Sequence, residues 1–492
     1  MEYNLLTRLH RFPPRYGPEW GSGGVFGLRY YKGTLYFNLS FEGEAHFVDA
    51  ERDKVYSYNL IGPSPVSGGD TYNAVDTVDD QIYFGGWIHA PAVYDRSGEK
   101  RAISFVNKYS HVHEYDTKEK KVRLVWKDSI HDSTEWAGEV SEIVYNPVDD
   151  KLLLARADGH KNLGIFSLDR KSGETQLISQ DPGVKGTLFL DTACFDTSCI
   201  GNFTGLQCLE LSSNKWVKQK IEDLSEISVD DGSCFRPFVG SMTSAYARLF
   251  VFIKGGVIVG NPLDYNRETM KFIRLFDFGY SGYSPSRTVA LPFGGGVLTA
   301  FNSFTHGFVN PMNPEEVKEA EVVNTIIGPS VLVYLSPPMA RIVGSLGARV
   351  TSIESFGDKI LLGTSTTANL SRFYATPIDA GYRDVLTLDS SLLLSNQPPV
   401  SYSIPGSRIA NLNWGGIPLF GYKNSKMVFK ASKDNRLTVY EYDIGLPVQK
   451  AERDVRQIKA GKNVINLSDY DRILSFKLEE EDLEAMIYLH LK

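Results

Sequence analysis

The sequence lacks the features that mark a membrane protein or a nucleic-acid-binding protein. No stretch approaches the ~18 consecutive apolar residues of a membrane-spanning helix, and residues 1–11 contain no hydrophobic run typical of a signal peptide. The 492 residues carry a formal net charge of −7 at pH 7, whereas nucleic-acid binding requires a basic face or stripe. We therefore expect a cytoplasmic protein that binds neither membranes nor nucleic acid. The sequence does not indicate an oligomeric state.

Long helix-forming stretches are also missing, while glycine and aromatic residues are abundant. The chain has 44 glycines, and 12% of its residues are Phe, Trp or Tyr, which favours sheets over helices. A strand-like segment at 25–31 turns at Lys32-Gly33 into a second one at 34–37. The same pattern of strand, polar turn and strand returns along the whole chain, for example around Asp79-Asp80 and Gly357-Asp358.

This repetition predicts an all-β fold, namely a single β-propeller. We count eight outer hairpins, about 40 to 75 residues apart, which is the spacing of propeller blades with insertions. A repeated meander has an open edge on every unit, and a radial arrangement leaves only short, protected edges. The sequence therefore predicts one propeller domain over residues 1–492 with eight blades, or with seven because the fourth unit, around 206–217, is weak.

The two ends of the chain are expected to close the ring. Segments 4–9 and 486–491 both read as strands, and the N-terminal one has no repeat unit of its own. Pairing the two in one blade would seal the propeller. Residues 310–321 and 479–484 interrupt the pattern and are predicted to be surface insertions, the first a short helix and the second an acidic loop.

Residues that enter the innermost strand of each unit are candidates for a binding site, because propeller loops converge there. Three of them, Arg287, Arg349 and Arg408, are arginines in similar contexts. Such a cluster would suit a carboxylate or phosphate ligand, since a guanidinium group presents a fork of donors. Alternatively, each arginine pairs with an acidic residue of the next blade and only ties the ring together. The full set of entry residues is Gly24, Asn73, Glu139, Arg236, Arg287, Arg349 and Arg408.

A second candidate site comes from the pair Glu19-Trp20, which recurs as Glu135-Trp136. A tryptophan beside a carboxylate can stack on a sugar and accept its hydroxyl protons. A tryptophan after a turn can equally fill the space between blades. With His131 nearby, Glu19 and Glu135 become candidate catalytic residues of a carbohydrate hydrolase or lyase. This enzyme is the alternative to our main hypothesis, a binding or scaffold protein that engages an anionic ligand or a protein partner.

Histidines are concentrated in the second and third units. His89, His111 and His113 are weak candidates for a metal site, because no motif with metal-ligand spacing is present. His111 and His113 lie on the same face of one predicted strand, which favours hydrogen-bonded core histidines over ligands. We therefore predict neither a metal nor a cofactor.

The four cysteines, at positions 194, 199, 208 and 234, also lie close together in the sequence. Their spacing lacks the paired C-x-x-C elements of a zinc site. Cys194 and Cys208 could face each other across neighbouring strands and form a disulfide, and free buried thiols are an equal alternative.

Residues 16–28, together with Glu44-Ala45-His46-Phe47 and the segment 86–92, resemble an uncharacterised archaeal family, a domain of unknown function with an expected propeller fold. The similarity is strongest over roughly the first 180 residues. This resemblance implies an archaeal and thermophilic source. It implies no activity and no catalytic residues.

Overall fold

The fold comes from a computed structural model. It describes residues 6–12, 24–69, 73–95, 102–103, 107–130, 137–159, 162–199, 202–221, 239–245, 247–253, 255–263, 270–275, 285, 287–293, 296–302, 330–336, 339–365, 382–393, 400–410, 414–419, 422, 424–442, 452–470 and 473–492. Within these ranges the protein consists of β-strands and two short 3-10 turns, Ser390–Leu393 and Gly406–Arg408. No helix long and apolar enough to cross a membrane occurs in them.

The strands are numbered in chain order. The first twelve are β1 (Leu6–Phe12), β2 (Val25–Tyr31), β3 (Thr34–Leu39), β4 (Glu44–Val48), β5 (Asp53–Tyr56), β6 (Ser67–Gly69), β7 (Val75–Val78), β8 (Gln81–His89), β9 (Tyr94–Asp95), β10 (Ala102–Ile103), β11 (Lys108–Asp116) and β12 (Lys121–Ile130). The next twelve are β13 (Ala137–Asn146), β14 (Lys151–Gly159), β15 (Gly164–Asp169), β16 (Thr175–Ser179), β17 (Gly186–Phe189), β18 (Thr192–Cys199), β19 (Asn202–Glu210), β20 (Lys215–Lys220), β21 (Val239–Ala245), β22 (Arg248–Ile253), β23 (Gly256–Gly260) and β24 (Lys271–Arg274).

The remaining strands complete the numbering. They are β25 (Leu291–Phe293), β26 (Gly296–Phe301), β27 (Ser330–Ser336), β28 (Met339–Leu346), β29 (Arg349–Phe356), β30 (Lys359–Ser365), β31 (Arg383–Asp389), β32 (Val400–Pro405), β33 (Trp414–Pro418), β34 (Lys426–Ala431), β35 (Asn435–Tyr442), β36 (Glu452–Ile458), β37 (Gly461–Asn466), β38 (Ile473–Leu478) and β39 (Met486–Leu491).

Most of these strands form antiparallel sheets from consecutive stretches of chain. Sheet 1 contains β2 to β5, and sheet 2 contains β6, β7, β8, β11 and β12. Sheets 3, 4, 5 and 6 contain β13–β16, β17–β20, β21–β24 and β25–β28, and sheet 7 contains β29, β30, β31 and β1. Among the described residues, β9 and β10 pair only with each other.

The sheets succeed one another around a ring. The innermost strands β2, β7, β13, β17, β21, β25 and β29 contact their neighbours in this order, and β29 contacts β2 again. The predicted all-β propeller fold is therefore confirmed. Seven sheets take part in this succession among the described residues, which favours the seven-bladed alternative. The weak fourth unit is a complete sheet, β17–β20.

A hydrophobic cluster fills each interface between consecutive sheets. Between sheets 1 and 2, for example, Tyr36 and Phe47 pack with Phe84 and Tyr115. The other interfaces have equivalent clusters, including one that returns from sheet 7 to sheet 1. Because burial of one such side chain stabilises the fold by about 1.5–3 kcal/mol, each sheet depends on both of its neighbours.

The N-terminal strand completes the last sheet of the ring. Strand β1 pairs with β31 in antiparallel register, from Leu6 opposite Leu388 to Phe12 opposite Arg383. The expectation that the N-terminal and C-terminal strands share one blade is wrong, because β39 pairs with β32 and β34 instead.

Residues 400–491 form two sheets of their own. Sheet 8 has the strand order β32-β39-β34-β37, and sheet 9 has the order β33-β38-β35-β36. The chain thus crosses repeatedly between two four-stranded antiparallel sheets, with only β35 and β36 consecutive in one sheet, which is the arrangement of a jelly roll. The eighth hairpin predicted near Leu437 therefore belongs to sheet 9 and not to an eighth blade. One hydrophobic cluster contains side chains of both parts, among them Phe252, Val333, Phe429 and Phe476. The extent of the domain, 1–492, stays a prediction.

Hydrogen bonds from side chains tie the innermost strands together where they begin. Asn73 of sheet 2 accepts a hydrogen bond from the Gly27 amide of sheet 1 through Oδ1 at 2.6 Å. Its Nδ2 donates to the carbonyl of Thr351 in sheet 7 at 3.0 Å. The Thr351 hydroxyl in turn donates to the carbonyl of Val25 at 2.6 Å. Three sheets therefore meet at a single buried asparagine.

These contacts coincide with β-bulges. The pairing of the innermost strand with its neighbour shifts register at Phe26/Arg29, Val140/Glu142, Val239/Ser241 and Val350/Ser352. A bulge leaves one residue out of the ladder and turns it away from its own sheet. Thr351, which falls inside one bulge, can therefore bind the adjacent sheet.

Replacing Asn73 by alanine should destabilise the protein by about 2–4 kcal/mol, because two buried backbone groups lose their partners at about 1–3 kcal/mol each. Urea denaturation of N73A measures this loss. Asn73 also has a positive φ of 65°, which alanine adopts at a cost of about 1–2 kcal/mol. Asn214 has φ 55° on an exposed turn, so N214A measures the backbone cost alone. A loss for N73A no larger than that for N214A would contradict the proposed role.

Candidate functional site

The two faces of the ring differ in their connections. We call the side on which the innermost strands begin the entry face and the opposite side the turn face. At the turn face β2 passes to β3 through Lys32-Gly33, and β29 passes to β30 through Gly357-Asp358. At the entry face the connections are long, for example from Phe301 to Ser330 and from Ser365 to Arg383. Long loops on a rigid scaffold are where binding residues concentrate, which makes the entry face the candidate location of a site.

Ion pairs between sheets close the turn face. Arg170 of sheet 3 binds Asp79 of sheet 2 at 2.6 Å and Asp150 of its own sheet at 2.6 Å. Lys32 of sheet 1 binds Asp80 of sheet 2 at 2.6 Å. At the turn face these ion pairs therefore join neighbouring blades, and each of the named cations is paired with a carboxylate.

Five of the predicted entry residues lie where the sequence places them. Gly24, Asn73 and Arg287 lie just before the innermost strands β2, β7 and β25. Arg349 is the first residue of β29, and Glu139 is the third residue of β13. Arg408 does not belong to this set. It ends the 3-10 turn Gly406–Arg408, between β32 and β33, because its part of the chain forms sheets 8 and 9 instead of a blade. Arg236 lies outside the described residues.

Glu139 pairs with a buried lysine that sequence reasoning missed. Lys108, the first residue of β11, forms an ion pair with Glu139 across the interface of sheets 2 and 3, and both side chains are fully buried. The Lys108 ammonium also lies 4.7 Å from the centre of the Trp87 ring, a cation–π contact. The ion pair joins two neighbouring sheets. The sequence predicts such a role for the arginines as the alternative to ligand binding.

Arg383 and Glu42 form a second buried pair at the same face. Arg383 begins β31 in sheet 7, and Glu42 follows β3 in sheet 1. Their side chains are 2% and 6% exposed, so water does not solvate the charges. Removing one partner of such a pair leaves an uncompensated buried charge.

Arg287 and Arg349 form a different arrangement, because two positive charges approach each other. Arg349 is fully buried and Arg287 is partly exposed. Burial and the nearby charge of Arg287 together lower the pKa of Arg349 to about 9. Arg287 has a positive φ of 53°, a conformation that is uncommon for a long side chain and that concentrates at functional sites.

Charged groups also lie along the innermost strands themselves, namely Arg29 in β2, Asp76 in β7 and Glu354 in β29. Arg29 Nε lies 3.6 Å from Glu354 Oε2, and Arg29 Nη2 donates to the carbonyl of Val75 at 3.2 Å. Asp76 accepts a hydrogen bond from the Tyr145 amide at 2.7 Å. Burial raises the pKa of Asp76 and of Glu354, and Arg29 opposes this rise in both. Each contact links two neighbouring sheets, so these groups hold the innermost strands together.

The histidines predicted as weak metal candidates are buried. His111 and His113 join through their Nδ1 atoms at 3.0 Å, and Tyr56 Oη lies 2.9 Å from His113 Nε2. One imidazole therefore donates to the other, which requires that at least one stays neutral. Burial lowers the pKa of His111 to about 3 and that of His113 well below its usual value. His89 lies apart from them, 1% exposed, with its ring 5.3 Å from that of Trp87.

No group of three or more His, Cys, Asp or Glu side chains that could hold a metal ion occurs in the part of the chain that the structure describes. The prediction of core histidines agrees with the hydrogen bonds of His111 and His113. The candidates Glu19, Trp20, His131, Glu135 and Trp136 lie outside the described residues, as does the predicted insertion at 310–321. The enzyme alternative therefore stays a prediction.

Cys194 and Cys208 are direct register partners on β18 and β19 and form a disulfide. Both side chains are buried in the cluster between sheets 4 and 5. Cys199 lies at the end of β18, and Cys234 lies outside the described residues. The predicted loop at 479–484 is exposed except for Asp482, whose carboxylate accepts hydrogen bonds from Ser432.

Comparisons with known proteins identify one family. A family model described as "Uncharacterized protein conserved in archaea (DUF2139)" matches residues 35–373. No curated protein matches the chain.

Solved structures similar to this chain are β-propeller proteins. The N-terminal domain of Nup159 shares 9% identity over 78% of this chain and 95% of its own, with a TM-score of 0.37. YCF48 from Cyanidioschyzon merolae shares 9% identity over 77% and 98%, with a TM-score of 0.41. Sqt1 from Saccharomyces cerevisiae shares 7% identity over 78% and 98%, with a TM-score of 0.40.

Lowering the pH should destabilise the protein through His111. Its pKa is about 3 when folded and about 6.5 in the unfolded chain, so the unfolded state binds more protons between these values. Stability is therefore lost as the pH falls below 6.5, by ~2 kcal/mol from His111 at pH 5. The variant H111N should lose less stability than the wild type between pH 7 and pH 5, as measured by urea denaturation at both values.

The control for this comparison is His490, a partly buried residue on β39 that contacts Ser401. H490N should keep the pH dependence of the wild type. If H111N and H490N show the same pH dependence, the buried pair does not determine it.

Proposed function

The chain belongs to this uncharacterised archaeal family. We propose that it is a binding protein whose entry face holds an anionic ligand between Arg287 and Arg349. The observation that carries the proposal is the approach of these two guanidinium groups, one buried and one partly exposed. Burial, and after it the charge of Arg287, lowers the pKa of Arg349. An anion placed between the two groups would oppose both effects. Each guanidinium can offer a bidentate fork to a carboxylate or phosphate.

The location of the two arginines supports the same proposal. They lie at the start of consecutive innermost strands, on the face with the long connections. Arg287 is partly exposed, so a ligand can approach the pair from solvent. Arg236, as the preceding entry residue, would add a further cation to the site.

Small anions should stabilise the wild-type protein against heat. We would compare acetate, citrate, phosphate and sulfate with chloride at constant ionic strength. An anion that binds only the folded state adds about 2.7 kcal/mol of stability at 100 times its Kd. The variants R287A and R349M should lose this stabilisation, because each removes one guanidinium group, and methionine preserves most of the buried volume of Arg349.

Arg453 provides a matched control, since it is an exposed arginine on β36 that stacks on Tyr440. R453A should respond to anions as the wild type does. Anion-induced shifts that persist in both R287A and R349M, or that are absent from the wild type, would refute the proposal.

We also propose that the protein works in the cytoplasm of a thermophilic archaeon. The ion pairs of Arg170 with Asp79 and Asp150 support this, because networks of charges stabilise proteins mainly at high temperature. The Cys194–Cys208 disulfide supports it too, because intracellular disulfides are a feature of hyperthermophiles. We expect an unfolding temperature well above the about 45–65 °C of mesophilic domains, lowered by reductant in the wild type and in C199A alike. A value within the mesophilic range would contradict the proposal.

A further inference from the structure

Sheet 8, outside the ring, has one buried face and one face turned to solvent. On β34 and β39, Met427, Phe429, Ile487 and Leu489 are fully buried in the hydrophobic cluster shared with sheet 9. The side chains between them point the opposite way, because successive residues of a strand alternate between the two faces. We call this opposite side of β34, β37 and β39 the lysine face. Its exposed or half-buried residues are Lys426, Val428, Lys430, Lys462, Val464 and Tyr488.

Strand register fixes the layout of the lysine face. Val428 lies opposite Val464 on one side and opposite Tyr488 on the other, so an apolar row crosses three strands. Val464 is 61% exposed. Lys430 and Lys462 are direct partners on one flank of this row. Like charges directly opposite each other on a sheet repel, so this pair favours an anionic neighbour.

The lysines of this face lack carboxylate partners. In the part of the chain that the structure describes, Lys426, Lys430 and Lys462 form no ion pair, and Lys430 only approaches the Tyr488 ring at 5.3 Å. By contrast, Lys433 at the end of the same strand binds Glu480 at 3.0 Å. The lysine face therefore keeps a positive charge that its own surroundings do not neutralise.

The loop at 479–484 has the opposite character. Glu481 and Glu484 are exposed, and neither forms an ion pair with another of the residues that the structure describes. Leu483, which lies between them, is 63% exposed. A leucine flanked by carboxylates thus matches an apolar row flanked by lysines in charge and in apolar character.

Hydrogen bonds within the same copy fix the shape of this loop. The Asp482 carboxylate accepts hydrogen bonds from the amide and the hydroxyl of Ser432 at 2.9 and 2.6 Å. The Asn435 side chain donates to the Glu480 carbonyl at 2.7 Å and accepts from the Glu480 amide at 3.1 Å. Leu483 is therefore held out in solvent by an anchored loop. A loop ordered in advance loses little conformational entropy when it binds.

The loop and the lysine pair lie at the same end of sheet 8. The loop leads into β39, whose first residue, Met486, lies opposite Lys430, and Lys430 lies opposite Lys462. Two copies related by a two-fold axis at this end can therefore each place their loop on the lysine face of the other. Such an arrangement uses both surfaces of each copy and doubles the contact that one loop makes.

We propose that two copies of this chain associate in this way, with the loop at 479–484 of each copy on the lysine face of the other. The leucine of the loop then covers the apolar row, and its two carboxylates approach Lys430 and Lys462. A second copy fits better than a small anion, which would leave the leucine and the apolar row in water. Two loops form a small interface compared with the ~800 Å² per partner of typical stable complexes, so we expect a dimer that dissociates on dilution.

Sedimentation velocity at several protein concentrations, at low and at high salt, tests this inference. The wild type should dimerise at low salt and less so at high salt, because salt screens exposed charges. The variants K430E/K462E and E481K/E484K should each weaken the dimer at least about ten-fold, since repulsion replaces attraction at both contacts. The variant with all four substitutions should dimerise as the wild type does, because reversing both partners restores the attraction.

K271E/K359E is the matched control, since both lysines are exposed on the ring and the change in net charge is the same. It should dimerise as the wild type does. A wild type that stays monomeric at every concentration would overturn the inference, as would undiminished dimers of K430E/K462E or of E481K/E484K. If the four substitutions together do not restore the dimer, the loop and the lysine face do not meet, and the proposed interface is wrong.

Discussion

The ring depends on hydrogen bonds between side chains of one innermost strand and the backbone of the next. Neighbouring sheets share no backbone ladder, so apolar packing alone would let them slide, because the hydrophobic effect has no direction. Asn73 and Thr351 supply that direction between sheets 7, 1 and 2. Lys185 does so between sheets 4 and 3, donating to the carbonyl of Ser141 at 3.1 Å. The bulges turn the required backbone groups towards the neighbouring sheet, and the register of the propeller follows from them.

The same constraint explains why charges are buried at the entry face. Once the strand starts are fixed, a cation on one sheet can be held against a carboxylate of the next, as Lys108 and Arg383 are. These pairs make that part of the face rigid at little net gain in stability. Arg287 and Arg349 lie where β25 and β29 begin, and there two positive charges interact.

Local sequence patterns predicted turns and strand starts well, but they did not predict which distant strands pair or which charged residues meet. The turns at Lys32-Gly33 and Gly357-Asp358 follow from their glycines, which adopt a positive φ without strain, and the starts of the innermost strands follow from the repeat. An alternating strand, however, does not encode which distant strand it joins. The hairpin near Leu437 therefore resembled a blade, although β35 lies between β36 and β38 in sheet 9. Glu42 and Lys108 belong to no motif, because a buried ion pair is defined by the meeting of two sheets.

The pairing of β1 with β31 has a consequence for synthesis on the ribosome. Residues 6–12 leave the ribosome before the rest of the ring, but their partner, residues 383–389, follows only near the end of the ring. Until then, sheet 7 does not exist and sheet 1 has one uncovered side. The closing contact spans most of the chain, and contacts of such long sequence separation make folding slow. The nascent ring must therefore stay open, with an apolar flank exposed to aggregation or to a chaperone, until its first strand meets one of its last.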